Sequence, residues 1–166
     1  MIVVIGCGNA NRADDAAGLE VVRLLGTSSA LRARPDVKLL DAGTDGMAVM
    51  FAARGCSTLI VVDACRTGAV AGAIFEIAGA SVENRFEPSF NLHDFRWDHA
   101  LYAGRQIFRD AFPSDVTAYL IEAQRLDLGC GLTEEVRRAA ACVAECILAR
   151  ILRFPTRAGQ VSEALS

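Results

Sequence analysis

The chain has 166 residues, 52% of them hydrophobic and 22% charged, with a formal charge of −3 and a mean hydropathy of +0.30, a composition that suits one compact domain with a sizeable core. With 17 basic against 20 acidic residues it lacks the surplus of clustered Lys and Arg that wrapping nucleic acid or docking on anionic lipid demands. No apolar run approaches the roughly 20 residues of a membrane-spanning helix, no signal-peptide pattern opens the chain, and six scattered cysteines without a CxxC pair read as reduced thiols of a cytoplasmic protein.

Ile2 to Ile5 is a β-branched run that stops at Gly6, the pattern of a strand buried on both faces. A helix is expected next, capped by Asp14 or Asp15, with Leu19, Val22 and Leu25 recurring until Gly26. Val37 to Leu40 reads as a second strand, followed by a short helix that Thr44 or Asp45 caps and Gly55 ends. Thr58 to Val62 is the strongest strand and ends at Asp63. A weaker strand over Ala73 to Ile77 precedes an irregular segment, 79–92. A helix from Asp94 or Asp98 to Phe108 and a strand over Val116 to Ile121 follow. Thr133 caps a long helix with Val136, Ala140, Val143, Ile147 and Ile151 on one stripe.

Apolar strands alternating with helices predict an α/β fold: three layers, a doubly wound and mainly parallel sheet with helices on both faces. A single domain is expected over 1–155, with a polar tail over 156–166. In such a sheet the working residues gather at the carboxyl ends of the strands, which singles out Asp15, Asp41, Asp45 and Asp63. Asp15 follows a carboxylate that already suffices as a cap, so it is either a second helix-dipole charge or a site residue. Asp63, ending an apolar run, is either a turn residue or a group presented at the working rim. The two histidines, His93 and His99, could join these carboxylates in a mixed nitrogen and oxygen metal site, or cap a helix. GCGN resembles the start of a dinucleotide fingerprint, but Asp14 and Asp15 stand where a phosphate would have to sit, which argues against NAD, FAD or ATP. Cys65, beside Arg66, is the one thiol kept as a possible nucleophile; Cys142 and Cys146 read as packing residues.

Four segments, IVVIGCGNANRADDAAGLEVVRLL, LLDAGTDGM, LIVVDAC and LGCGLTEEV, share the order and spacing of a known family. The chain resembles the hydrogenase maturation proteases, endopeptidases that trim the C-terminal extension from the large subunit of nickel-iron hydrogenases, over nearly its whole length. The resemblance implies that Asp15, Asp63 and His93 contact nickel, and that the nickel arrives in the large-subunit precursor instead of being held permanently. His93 is preferred to His99 because its distance to Gly131-Leu132-Thr133 suits the family. Asp15 and Asp41 become candidate catalytic residues and Asp45 a substrate-positioning one, against a turn-forming role for Asp41 and Asp45. The chain departs from the family at Ala13, where Gly is common, and in NLHDFRWDH, where Pro or Ser followed by His-Gln is common. A monomer or weak oligomer is expected. The alternative is a non-proteolytic accessory module that binds metal or nucleotide.

Overall fold

The computed structural model describes residues 1–83, 96–129 and 131–155; His93 and the tail over 156–166 lie outside them. Strand β1 (Ile2–Cys7) is buried along its whole length, as a continuous β-branched run requires when helices cover both faces. It leads through a 3-10 turn (Ala13–Ala16) into α1 (Ala17–Thr27), and after a single-turn α2 (Ser29–Arg32) the chain enters β2 (Val37–Gly43). Next come α3 (Gly46–Ala53), β3 (Thr58–Cys65), β4 (Ile74–Ala78), α4 (Gly79–Glu83), α5 (Trp97–Phe108), β5 (Asp115–Glu122) and α6 (Glu134–Arg153).

The strands form one sheet in the order β2-β1-β3-β5-β4. All neighbours are parallel except the edge pair β4 and β5, so the expected three-layer α/β sheet is the fold. Alternate residues of β1 and β3 feed two cores. Val4, Ile60 and Val62 pack with α1 and α6 on one face, and Val3, Ile5, Leu59 and Val61 pack with α3 and α5 on the other. Each fully buried aliphatic side chain contributes about 1.5–3 kcal/mol. The stripe expected on α6 is buried at every one of its five positions. Arg34, 7% exposed, holds the far end of that helix by donating to the carbonyls of Ile151 and Phe154 while paired with Asp36.

Because α1 lies on one face and α3 on the other, the strand order switches between the parallel neighbours β1 and β3, and a crevice opens at their carboxyl ends. Glycine sets how close α1 comes to that crevice. A Cβ on Gly18 would lie 2.2 Å from the Val62 carbonyl oxygen and 2.4 Å from that of Cys7, so the first turn of α1 rides directly on strand backbone.

Several expectations are corrected. The buried face of α1 is centred on Ala17, Gly18, Val21 and Leu25, with Leu19 only partly buried, because glycine and alanine permit contact closer than leucine would. Asp14 makes no cap bond; its carboxylate is drawn to a distant segment instead. β3 runs two residues past Asp63, since β5 pairs with it as far as Cys65 and Glu122. Residues 79–83, expected to be irregular, form α4. Cys142 and Cys146 are exposed, on the side of α6 away from the core.

Candidate active site

At the carboxyl edge of the sheet a cavity of about 180 Å³ is lined by Cys7 and Gly8 after β1, Asp15 from the 3-10 turn, Gly43 to Gly46 after β2, Val49, Asp63 from β3, and Arg96 and Trp97 at the start of α5. The turn after β1 is tight: Gly8 has φ of +125°, its N–H donates to the Gly43 carbonyl at 2.8 Å, and a Cβ there would meet the Asp15 carbonyl oxygen at 1.7 Å. Only glycine fits. The turn delivers the Asn9 N–H to Asp15 Oδ2 at 3.0 Å, so the chain's own carboxylate takes the amide that a phosphate would use in a nucleotide loop.

Asp14 and Asp15 are adjacent and turn opposite ways. Asp14 is fully buried and accepts from the backbone N–H groups of Gln124, Arg125 and Thr133 at 2.7–2.9 Å and from the Thr133 hydroxyl at 3.1 Å. It locks the segment between β5 and α6 against the first turn. Thr133 occupies the N-cap position of α6, yet its side chain makes no cap bond; its hydroxyl serves Asp14. Asp15 is half-buried, and among the described residues its Oδ1 takes no hydrogen bond.

Asp63 is 5% exposed, so it projects into the cavity from within the strand instead of from a turn. Oδ1 accepts the Ala64 N–H at 2.8 Å; Oδ2 accepts Trp97 Nε1–H at 2.7 Å and a longer, 3.3 Å bond from Arg96. Burial pushes the carboxyl up to about 6, opposed by the Trp97 hydrogen bond, the Arg96 charge and the Ala64 N–H and reinforced by the Asp15 charge.

Of the remaining candidates, Asp45 lines the cavity while its Oδ1 caps α3 by accepting the Ala48 N–H at 3.1 Å. Asp41 is exposed and stands outside the lining; it accepts the Gly43 N–H at 2.9 Å and shapes the turn that leads to Asp45. His99, on α5, is not part of the lining either. Among the described residues no three His, Cys, Asp or Glu side chains form a group able to hold a metal, and no helix is long and apolar enough to cross a membrane. Cys7 and Cys65 are poor nucleophiles. Burial pushes Cys7 far up, with Asp63 adding to it, and burial together with Glu122 pushes Cys65 up to about 12, so Cys65 is corrected from possible nucleophile to a donor onto Glu122.

Residues 19–150 match the family described as Hydrogenase maturation protease. The chain belongs to the hydrogenase maturation protease family. Among solved structures it is similar to the hydrogenase maturating endopeptidase HybD from E. coli, at 26% identity with 91% of each chain covered and a TM-score of 0.71. An endopeptidase from Escherichia coli follows at 26% identity, 90% of this chain and 91% of that one covered, and a TM-score of 0.69. The fold is shared with the [NiFe] hydrogenase maturation protease HycI from Thermococcus kodakarensis KOD1, at 22% identity, 92% of each chain covered and a TM-score of 0.66. No curated protein matches the chain significantly. As a maturation protease it is an endopeptidase, and the cavity after β1, β2 and β3 is lined from three of the four segments quoted above, by Cys7, Gly8 and Asp15, by Gly43 to Gly46, and by Asp63.

Sequence reasoning missed three residues of this maturation protease. Arg96 and Trp97 grip Asp63, and Glu122, 2% exposed, receives the N–H groups of Thr67 and Gly68 at 2.9–3.0 Å and the Thr67 hydroxyl at 2.8 Å. The signal for Glu122 was present: an acid directly after an apolar strand run, as at Asp63. Burial pushes Glu122 up, but the hydrogen bonds from Thr67 and Gly68 outweigh it and hold the carboxyl near 2.

These two carboxylates give stability opposite pH dependences. Asp63, raised from 3.8 to about 6, contributes stability that is full below its unfolded value and lost as the pH rises through about 6. Glu122, lowered from 4.5 to about 2, contributes stability that is present above its unfolded value and lost as the pH falls through about 2. Urea midpoints should therefore rise as the pH falls from 7 toward about 4.5 and decline below that. Asp63→Ala should flatten the upper limb alone; an unchanged upper limb would assign it to another group.

Proposed function

We propose that this chain removes the C-terminal extension of a nickel-iron hydrogenase large-subunit precursor once nickel has been inserted, and that it reads the nickel in the substrate through Asp15, Asp63 and His93. The observation that carries this reading is the meeting of Asp15, from the 3-10 turn after β1, and Asp63, from within β3, in one cavity beside the Gly8 turn. A divalent cation with open coordination positions favours carboxylate oxygen and imidazole nitrogen, and an ion held partly by the substrate and partly by the protease makes cleavage conditional on nickel. Asp15, with one oxygen that takes no hydrogen bond among the described residues, is the candidate to position or deprotonate a water against the scissile carbonyl. Asp45 would orient the substrate chain at the cavity wall, and Asp41 would act through the shape of the turn.

The nickel belongs to the precursor, so the chain needs no permanent metal. The setting is the cytoplasm, consistent with free thiols at all five described cysteines, and the working state is a monomer or weak oligomer. The test is incubation with nickel-loaded and nickel-free precursor, followed by intact mass of the large subunit. Loss of the extension only from the nickel-loaded form is expected. Equal cleavage of both forms would remove the nickel checkpoint, and cleavage of neither cognate form would favour the non-proteolytic accessory module.

A further inference from the structure

Asp63 is held by three donors of unequal firmness. Ala64 N–H and Trp97 Nε1–H donate at 2.8 and 2.7 Å, one from the strand backbone and the other from a side chain that is 6% exposed. Arg96 differs: its contact on Oδ2 is 3.3 Å and its side chain is 64% exposed against 7% for Asp63. That is long for a charge-assisted hydrogen bond, which is about 2.7–2.9 Å when well made. Arg96 also sits just ahead of α5, with extended backbone and no cap bond, so its side chain can swing without unwinding the helix. The buried carboxylate thus has two fixed donors and one removable cation.

We infer that Arg96 is a stand-in cation, whose guanidinium occupies the place beside Asp63 Oδ2 that the substrate's divalent ion takes when a loaded precursor docks. The inference rests on the reading of Asp63 as a nickel contact and adds a physical basis for the checkpoint. A precursor carrying nickel exchanges one positive partner of Asp63 for another, so the buried carboxylate is never left bare. A metal-free precursor offers no replacement. It must either leave Arg96 in the cavity, where the guanidinium blocks the approach, or expel it and strand a buried anion, which is costly. Asp15, the other charge that acts on Asp63 from across the cavity, is also an anion and cannot relieve that cost. Arg96 is therefore a specificity-determining residue and not a catalytic one.

The test uses the full chain and nickel(II) chloride. Trp97 is the only tryptophan and donates to Asp63, so its emission reports on what happens at that carboxylate. Removing the competing ion pair in Arg96→Gln should tighten nickel binding about fivefold, the effect of deleting a partly exposed pair that must open before the ligand enters. KM for the nickel-loaded precursor should fall by a similar factor, with more of the change in KM than in kcat, and Arg96→Lys should return both toward wild type. Unchanged or weaker nickel binding by Arg96→Gln, or a raised KM, would overturn the displacement. Asp63→Ala separates the two levels. If it loses nickel binding and processing while Arg96→Gln behaves as wild type, only the displacement fails. If it keeps both, the nickel reading of Asp63 fails and the displacement with it.

Discussion

Asp14→Ala is expected to lower the unfolding free energy by about 3–5 kcal/mol, because three backbone amides and a hydroxyl would lose their acceptor where water enters poorly. A domain of this size has only about 5–15 kcal/mol in total, so the variant should melt well below wild type and process precursor poorly through loss of structure. Asp14→Asn should be intermediate, since an amide turns an N–H toward donors that are already aimed at the carboxylate. Urea denaturation followed by circular dichroism measures both. A change under about 1 kcal/mol for Asp14→Ala would mean that water replaces the carboxylate.

Asp15→Asn should give the reverse pattern. The amide oxygen can still accept the Asn9 N–H, and the side chain is half-buried, so the unfolding midpoint should move little. Processing, in contrast, should fall by about 10²–10⁴, the usual loss when a positioned general base or charged contact is neutralised. The readout is the rate of extension loss from nickel-loaded precursor, by mass spectrometry, with variants matched for folded content. Undiminished processing by Asp15→Asn would remove it from both of its proposed roles. Two neighbouring aspartates would thus separate a defect in folding from a defect in chemistry.

That separation was not legible in the sequence. Both aspartates stand at a helix start, where local rules assign either one a capping role, and Asp14's partners lie 110 to 119 residues away. By contrast, β1 and β3 were legible because an uninterrupted β-branched run has few other uses than a strand buried on two faces. The α6 stripe was legible because its period is local. Asp63 could be placed at the right edge but not at the right depth: whether an acid after an apolar run emerges or stays buried depends on how far the neighbouring strand continues, and β5 continues to Glu122. Arg96 and Trp97, although they lie in NLHDFRWDH, gave no signal of their own, since an Arg-Trp pair at a helix start becomes informative only once α5 is docked beside β3.

The bonds from Asp14 to Gln124, Arg125 and Thr133 also bear on synthesis. The loop that carries Asp15 leaves the ribosome early, but its anchor is not made until residue 133, 118 positions later than Asp15. At about 5–20 residues per second, that interval is roughly 6–24 s. Through it Asp14 lacks its Thr133 donors, and for most of it β3 also lacks β5, which is complete only at Glu122. Every residue that lines the cavity has been synthesised by Trp97, so the nascent chain holds the whole wall of the site for a time during which the loop that carries Asp15 still lacks its anchor on Thr133.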